Sequence, residues 1–228
     1  MMNKISVELN LPIFSDSLVT FDDANKILKS IYVTKLNNYV LGPQGSNISQ
    51  AALGWSKKNK LALKENIIFC KTPEEAIIRS ESEHYQGEVN LAWTCAVYFR
   101  QHELFFSNHN HSLFFDQYRM KLDNMQLACK PNQNISLNLK NKIASHPSPS
   151  ILLKNIESKI EIIDANSNSD AARLCSEGKV NACITTESAR KIYGLKSIHE
   201  FGSPEMVFFA SLPPSSSKYL RELQHEFK

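Results

Sequence analysis

Apolar residues in this chain fall in short runs separated by polar turns. Tyr39-Val40-Leu41, Ile67-Ile68-Phe69-Cys70, Val89 to Phe99, Ile160-Glu161-Ile162-Ile163, Ala182-Cys183-Ile184-Thr185 and Met206 to Ala210 each have the length and composition of a buried strand. Helical segments lie between them. Asp22 to Ile31 reads as a helix with Asp22 or Asp23 as its N-cap, and Thr72-Pro73 is a cap followed by proline at the first helical position. Ser169 to Leu174 opens a helix that Gly178 closes, and Thr186 to Lys191 opens one that ends at Gly194. Ser145 to Ser150 is a polar turn before an amphipathic helix at Ile151 to Ile156, and Lys121 to Lys130 leads into Lys130-Pro131 as a linker.

Strands therefore alternate with helices once before residue 131 and once after it. That order predicts an α/β fold of two similar lobes with a cleft between them. The expected organisation is an N-terminal extension over 1–36, a first lobe over 37–130, a second lobe over 131–212 and a C-terminal helical tail over 213–228. Hydrophobic residues make up 42% of the 228, which is enough for a real core. The net charge of +3 comes from scattered lysines, which argues against a nucleic-acid partner and suits a small anion. Met1 to Pro12 has no signal-peptide pattern, and no window approaches the roughly 20 apolar residues of a membrane span. The five cysteines are odd in number and form no Cys-x-x-Cys pair, so they read as reduced thiols in a cytoplasmic protein.

Ligands in such folds sit where a strand ends and a helix begins, because a helix N-terminus carries unpaired N–H groups and partial positive charge. Three such corners are visible: Gly42–Gln50, Ser145–Ser150 and Thr185–Ser188. In the first, Gly45 lets the backbone bend, and Ser46 and Asn47 add side-chain donors; it is neither a Walker loop nor Gly-x-Gly-x-x-Gly. In the second, Ser145, His146 and Ser148 surround the turn, with His146 either a carboxylate donor and acid–base group or a plain loop histidine. In the third, Thr185 and Thr186 suit an anion, while Glu187 complements the helix dipole. His102, His109 and His111 lack further ligands at metal spacing, so no metal and no cofactor are expected. Phe105, Phe106, Phe114 and Phe115 read as core or as a cleft wall.

Leu41-Gly42-Pro43-Gln44-Gly45-Ser46 through Ala51-Ala52 resembles the opening motif of prephenate dehydratases, usually Gly-Pro-Glu-Gly-Thr. Ser145-His146-Pro147-Ser148-Pro149 and Ala182 to Leu195 resemble the second-lobe motifs of the same family. The resemblance covers about residues 37–212 and lies nearest the bacilysin-pathway prephenate decarboxylase branch. It implies two lobes like those of a type 2 periplasmic binding protein, prephenate or another small dicarboxylate in the cleft, and a homodimer.

Two departures bear on the chemistry. Met206 and Val207 stand where dehydratases carry the Thr and Arg of Thr-Arg-Phe, and Trp93 to Phe99 replaces a Glu-Asn-Ser-x-Glu-Gly stretch. Dehydration must protonate the ring hydroxyl as it leaves; decarboxylation without aromatisation puts the proton on a ring carbon instead. The resemblance with these losses implies non-aromatising decarboxylation to a dihydro-hydroxyphenylpyruvate, in antibiotic biosynthesis. The alternatives are another enzyme of the class acting on an aromatic-pathway intermediate, towards a tropolone or sulfur-containing antibiotic, an inactive small-acid binding module, and a true dehydratase. His102, Arg100 and Cys95 are the catalytic candidates, with Arg119, Glu103 and Tyr98 beside them. Gly45, Ser46, Asn47, Ser145, His146, Ser148, Thr185 and Thr186 are the candidates for binding.

Overall fold

A computed structural model describes residues 19–108, 110–135, 141–154 and 160–226. The readings made for Met1 to Pro12, for His109 and for the far end of the Ile151–Ile156 helix lie outside those residues. Two five-stranded sheets form the two lobes. The first is built from β1 (Lys35–Leu41), β2 (Glu65–Cys70), β3 (Glu88–Cys95), β4 (Ser112–Lys121) and β10 (Glu205–Leu212), in the order β2-β1-β3-β10-β4. The second is built from β5 (Met125–Cys129), β6 (Asn141–Ser145), β7 (Ile160–Asp164), β8 (Ala182–Thr186) and β9 (Lys196–Gly202), in the order β7-β6-β8-β5-β9.

The two sheets have one topology. In each, the first three strands pair in parallel around a central strand, and a fourth enters antiparallel from the other lobe. The chain therefore crosses between lobes twice, at residues 122–124 and 203–204, where the Leu122 N–H donates to the Pro204 carbonyl at 2.8 Å. The single boundary expected at residue 131 is corrected accordingly. β5, inside the span read as a linker, is the second lobe's incoming strand, and β10 returns to the first lobe. Strand exchange is a non-local pairing and leaves no mark on local hydropathy.

Local chemistry explains most of the helices. α1 (Phe21–Lys29) is capped by Thr20 rather than by Asp22 or Asp23, which complement its dipole from the first turn instead. α3 (Pro73–Ser82) starts on the Thr72 cap with Pro73 at its first position, and α5 (Asn168–Ser176) starts on Ser167. The run read as a strand from Val89 to Phe99 stops at Cys95, because residues 96–100 turn into α4 (Gln101–Ser107). The remaining helices are α2 (Asn47–Lys58), α6 (Glu187–Ile192) and α7 (Pro214–Glu226), with a short 3-10 turn at Pro149–Leu153. Among the described residues no helix is long and apolar enough to cross a membrane.

The lobes are packed differently. The first buries Trp55, Trp93, Phe208, Leu36 and Leu91, with the two indole rings 5.6 Å apart. Both indole N–H groups find acceptors, Asp116 at 2.6 Å and Asn38 at 2.8 Å, as buried polar atoms require. The second lobe packs α5 on its sheet through small side chains, among them Ala128, Ala144, Ala171, Ala172, Cys175 and Cys183. Removing a buried indole typically costs about 3–5 kcal/mol, so the first lobe's core is the more sensitive to truncation.

Candidate functional site

The parallel strands of both sheets end at corners that feed helices or turns. In the first lobe β1 runs through Gly42 to Gly45 into Ser46, the N-cap of α2. Gly45 has φ +81°, which a side chain would strain. The Ser46 hydroxyl donates to the Leu41 carbonyl at 2.8 Å and accepts from the Ser49 N–H at 3.3 Å, so one side chain pins the turn and caps the helix. Ser49 is the third residue of α2; the N–H groups of the first two, Asn47 and Ile48, have no chain partner among the described residues. α1, α3, α4, α5 and α6 each carry an acid in the first turn, whereas α2 and α7 carry none. No acid in its own first turn thus answers the partial positive charge of α2.

The second corner follows β6. The Ser145 hydroxyl donates to the His146 carbonyl at 2.9 Å, and the Ser148 N–H donates to Nδ1 of His146 at 3.2 Å. Burial lowers the His146 pKa from the usual histidine value, against a smaller raising effect from Asp164. The neutral ring accepts at Nδ1 and so carries its proton on Nε2. The Ser148 hydroxyl reaches across to the first lobe and donates to the Val97 carbonyl at 2.9 Å, and the Phe99 ring faces His146 at 6.5 Å.

The third corner is filled from within. α6 is capped by Thr186, whose hydroxyl oxygen accepts from Ala189 N–H at 3.4 Å. The Glu187 N–H donates to the Asn124 carbonyl at 2.8 Å, and the Ser188 N–H donates to the Asp123 carboxylate at 2.7 Å. All three first-turn N–H groups are thus taken, two of them by the crossing segment between β4 and β5. Thr185 spends its proton on the Asn168 carbonyl at 2.7 Å. Sequence reasoning missed Asp123 and Asn124; an Asp-Asn pair suggests a turn, but nothing local ties it to a helix more than 60 residues away.

The catalytic candidates lie between β3 and α4 but do not converge. Arg100 is held by Glu103 at 2.6 Å and Glu74 at 3.1 Å. His102 is 71% exposed on α4 beside Glu103. Cys95 ends β3, and burial pushes its thiol up to about 11 despite the nearby Val97 and Tyr98 N–H groups. It is a protonated thiol at neutral pH, able to give a proton but slow to attack. Tyr98 donates its hydroxyl to Glu74 at 2.8 Å, and Arg119 is exposed on β4 opposite Val207. Among the described residues no group of three or more His, Cys, Asp or Glu side chains could hold a metal ion.

No protein-family model matches the sequence, and no curated protein matches it. Solved structures do resemble it. The periplasmic VFT2 domain of BvgS from Bordetella pertussis has a TM-score of 0.53 at 12% identity, covering 93% of this chain and 100% of that domain. A prephenate dehydratase from Staphylococcus aureus has a TM-score of 0.48 at 12% identity, covering 77% of this chain and 66% of that one. The quorum-quenching acylase GqqA has a TM-score of 0.46 at 12% identity, covering 78% of this chain and 64% of that one. The chain thus spans just under two thirds of the length of the dehydratase and of the acylase. At such identities the likeness speaks for the fold alone: this is a mixed α/β protein of two lobes, of the type 2 periplasmic-binding-protein kind.

Proposed function

We propose that the cleft between the lobes binds a small organic acid, with a carboxylate seated on the N-terminus of α2. The observation that carries this reading is the state of that helix: two unclaimed N–H groups and no acid in the first turn, where five of the other six helices supply their own and α7 does not. The His146 turn supports it from the opposite lobe, since a ring that accepts at Nδ1 has an N–H left to offer at Nε2.

Prephenate is the acid that the motifs imply, and non-aromatising decarboxylation in antibiotic biosynthesis is the reaction. Breaking the carbon–carbon bond releases carbon dioxide, sends the electron pair into the ring diene and requires one proton at a ring carbon. Met206 and Val207 favour this over dehydration, because neither aliphatic side chain can protonate a leaving hydroxyl. Cys95, protonated at neutral pH, is the group at the end of β3 able to give that proton. The ion pairs of Arg100 favour a second reading, a binding module without chemistry, because they withdraw the expected cation from the substrate.

Calorimetry with prephenate, phenylpyruvate and succinate tests binding, and carbon dioxide release with the ultraviolet spectrum tests chemistry. Carbon dioxide without phenylpyruvate supports decarboxylation, and phenylpyruvate supports dehydration. A binding heat alone supports the module. No heat with any of the acids removes the proposal.

A further inference from the structure

Away from the crossings, one contact between the lobes is made by Ser148, whose hydroxyl donates to the first-lobe carbonyl of Val97. Ser148 is held in place by its own backbone, through the N–H bond to Nδ1 of His146. A side-chain acceptor that takes the N–H two residues on is the arrangement of an Asx turn, made here by an imidazole. An imidazole nitrogen accepts only when it is unprotonated. A proton arriving at Nδ1 would set one donor against another and break the turn that presents Ser148 to Val97.

We infer that His146 is a pH-operated latch between the lobes: neutral, it holds Ser148 against Val97; charged, it releases Ser148 and lets the lobes part. The surroundings set the direction. Removal from water disfavours the charged ring, and Asp164 at the end of β7 favours it less strongly. Phe99, facing from the first lobe, brings no charge, and the adjacent Arg100 is neutralised by Glu74 and Glu103. The charged form therefore gains ground only below the usual histidine value of about 6.5, so the latch is shut at neutral pH and opens in acid. This does not depend on which acid, if any, the cleft takes.

Small-angle scattering on the ligand-free full chain between pH 8 and pH 4.5, with circular dichroism to follow the fold, reads the latch directly. The wild type is expected to expand as pH falls, with secondary structure intact and a midpoint below about 6.5. His146→Asn keeps an acceptor in the Asx-turn position but cannot titrate, so it stays compact throughout. Ser148→Ala removes the cross-lobe bond and is expanded at both ends of the range. Expansion of His146→Asn in parallel with the wild type, a wild-type radius that is constant with pH, or a Ser148→Ala variant as compact as wild type at pH 8 would each overturn the inference.

Discussion

The α2 and α6 corners begin alike and end differently. Each has a strand, a hydroxyl cap and a helix, with Ser46 serving one and Thr186 the other. At α6 the remaining first-turn N–H groups are closed by Asn124 and Asp123, and Glu187 adds a negative charge. At α2 they have no partner among the described residues, and the first turn carries no acid. The local pattern therefore says where a helix begins but not whether its positive end is available. Availability is decided by a distant segment, here the crossing between β4 and β5, which ties down the start of α6 and leaves the first two N–H groups of α2 without a partner among the described residues.

The contrast can be broken most sharply at Gly45. Gly45→Val forces a β-branched side chain into φ +81°, at a cost of about 1–2 kcal/mol. Acid affinity should fall about tenfold or more by calorimetry, since about 1.4 kcal/mol of misplacement suffices. Asp123→Ala removes the carboxylate from the Ser188 N–H and should cost about 1 kcal/mol in urea unfolding, with acid affinity unchanged. The matched pair Ser46→Ala and Thr186→Ala should each lose about 1 kcal/mol of stability as lost caps. Only Ser46→Ala should also weaken acid binding, because its hydroxyl pins the turn through Leu41. Arg100→Ala should be the mildest, shifting acid affinity by less than about twofold, since exposed ion pairs are weak and its partners are Glu74 and Glu103.

How far the chain could be read in advance follows the same division between local and distant causes. The Thr72-Pro73 start of α3, the Thr186 cap and the glycines that close α5 and α6 are local chemistry, and each stands in the structure as read. β9 escaped notice because it is an edge strand exposed along most of its length, with polar residues on both faces. β5 escaped because Met125 to Cys129 is short and its burial comes from pairing with β8 and β9. Asn37, Asn38 and Asn90 look wrong for buried strands until their partners appear: Asn37 donates to Asn90 and Glu88, Asn38 accepts from Trp93, and Asn90 donates to Ser80 and Glu83 carbonyls. For the site, the glycine turn and the His146 corner were legible from residue type. The contacts of Asp123, Val97 and Phe99 were not, because Val97 and Phe99 act on the opposite lobe and Asp123 acts on α6 from the crossing.

The central claim is that an acid is received by α2 and refused by α6. Titrating prephenate into labelled protein while following backbone amide resonances reads both helices at once. The account predicts concentration-dependent shifts at the Asn47 and Ile48 amides, with those of Glu187 and Ser188 unmoved. Shifts centred on Glu187 and Ser188, or none at Asn47 and Ile48 at saturating acid, would contradict it.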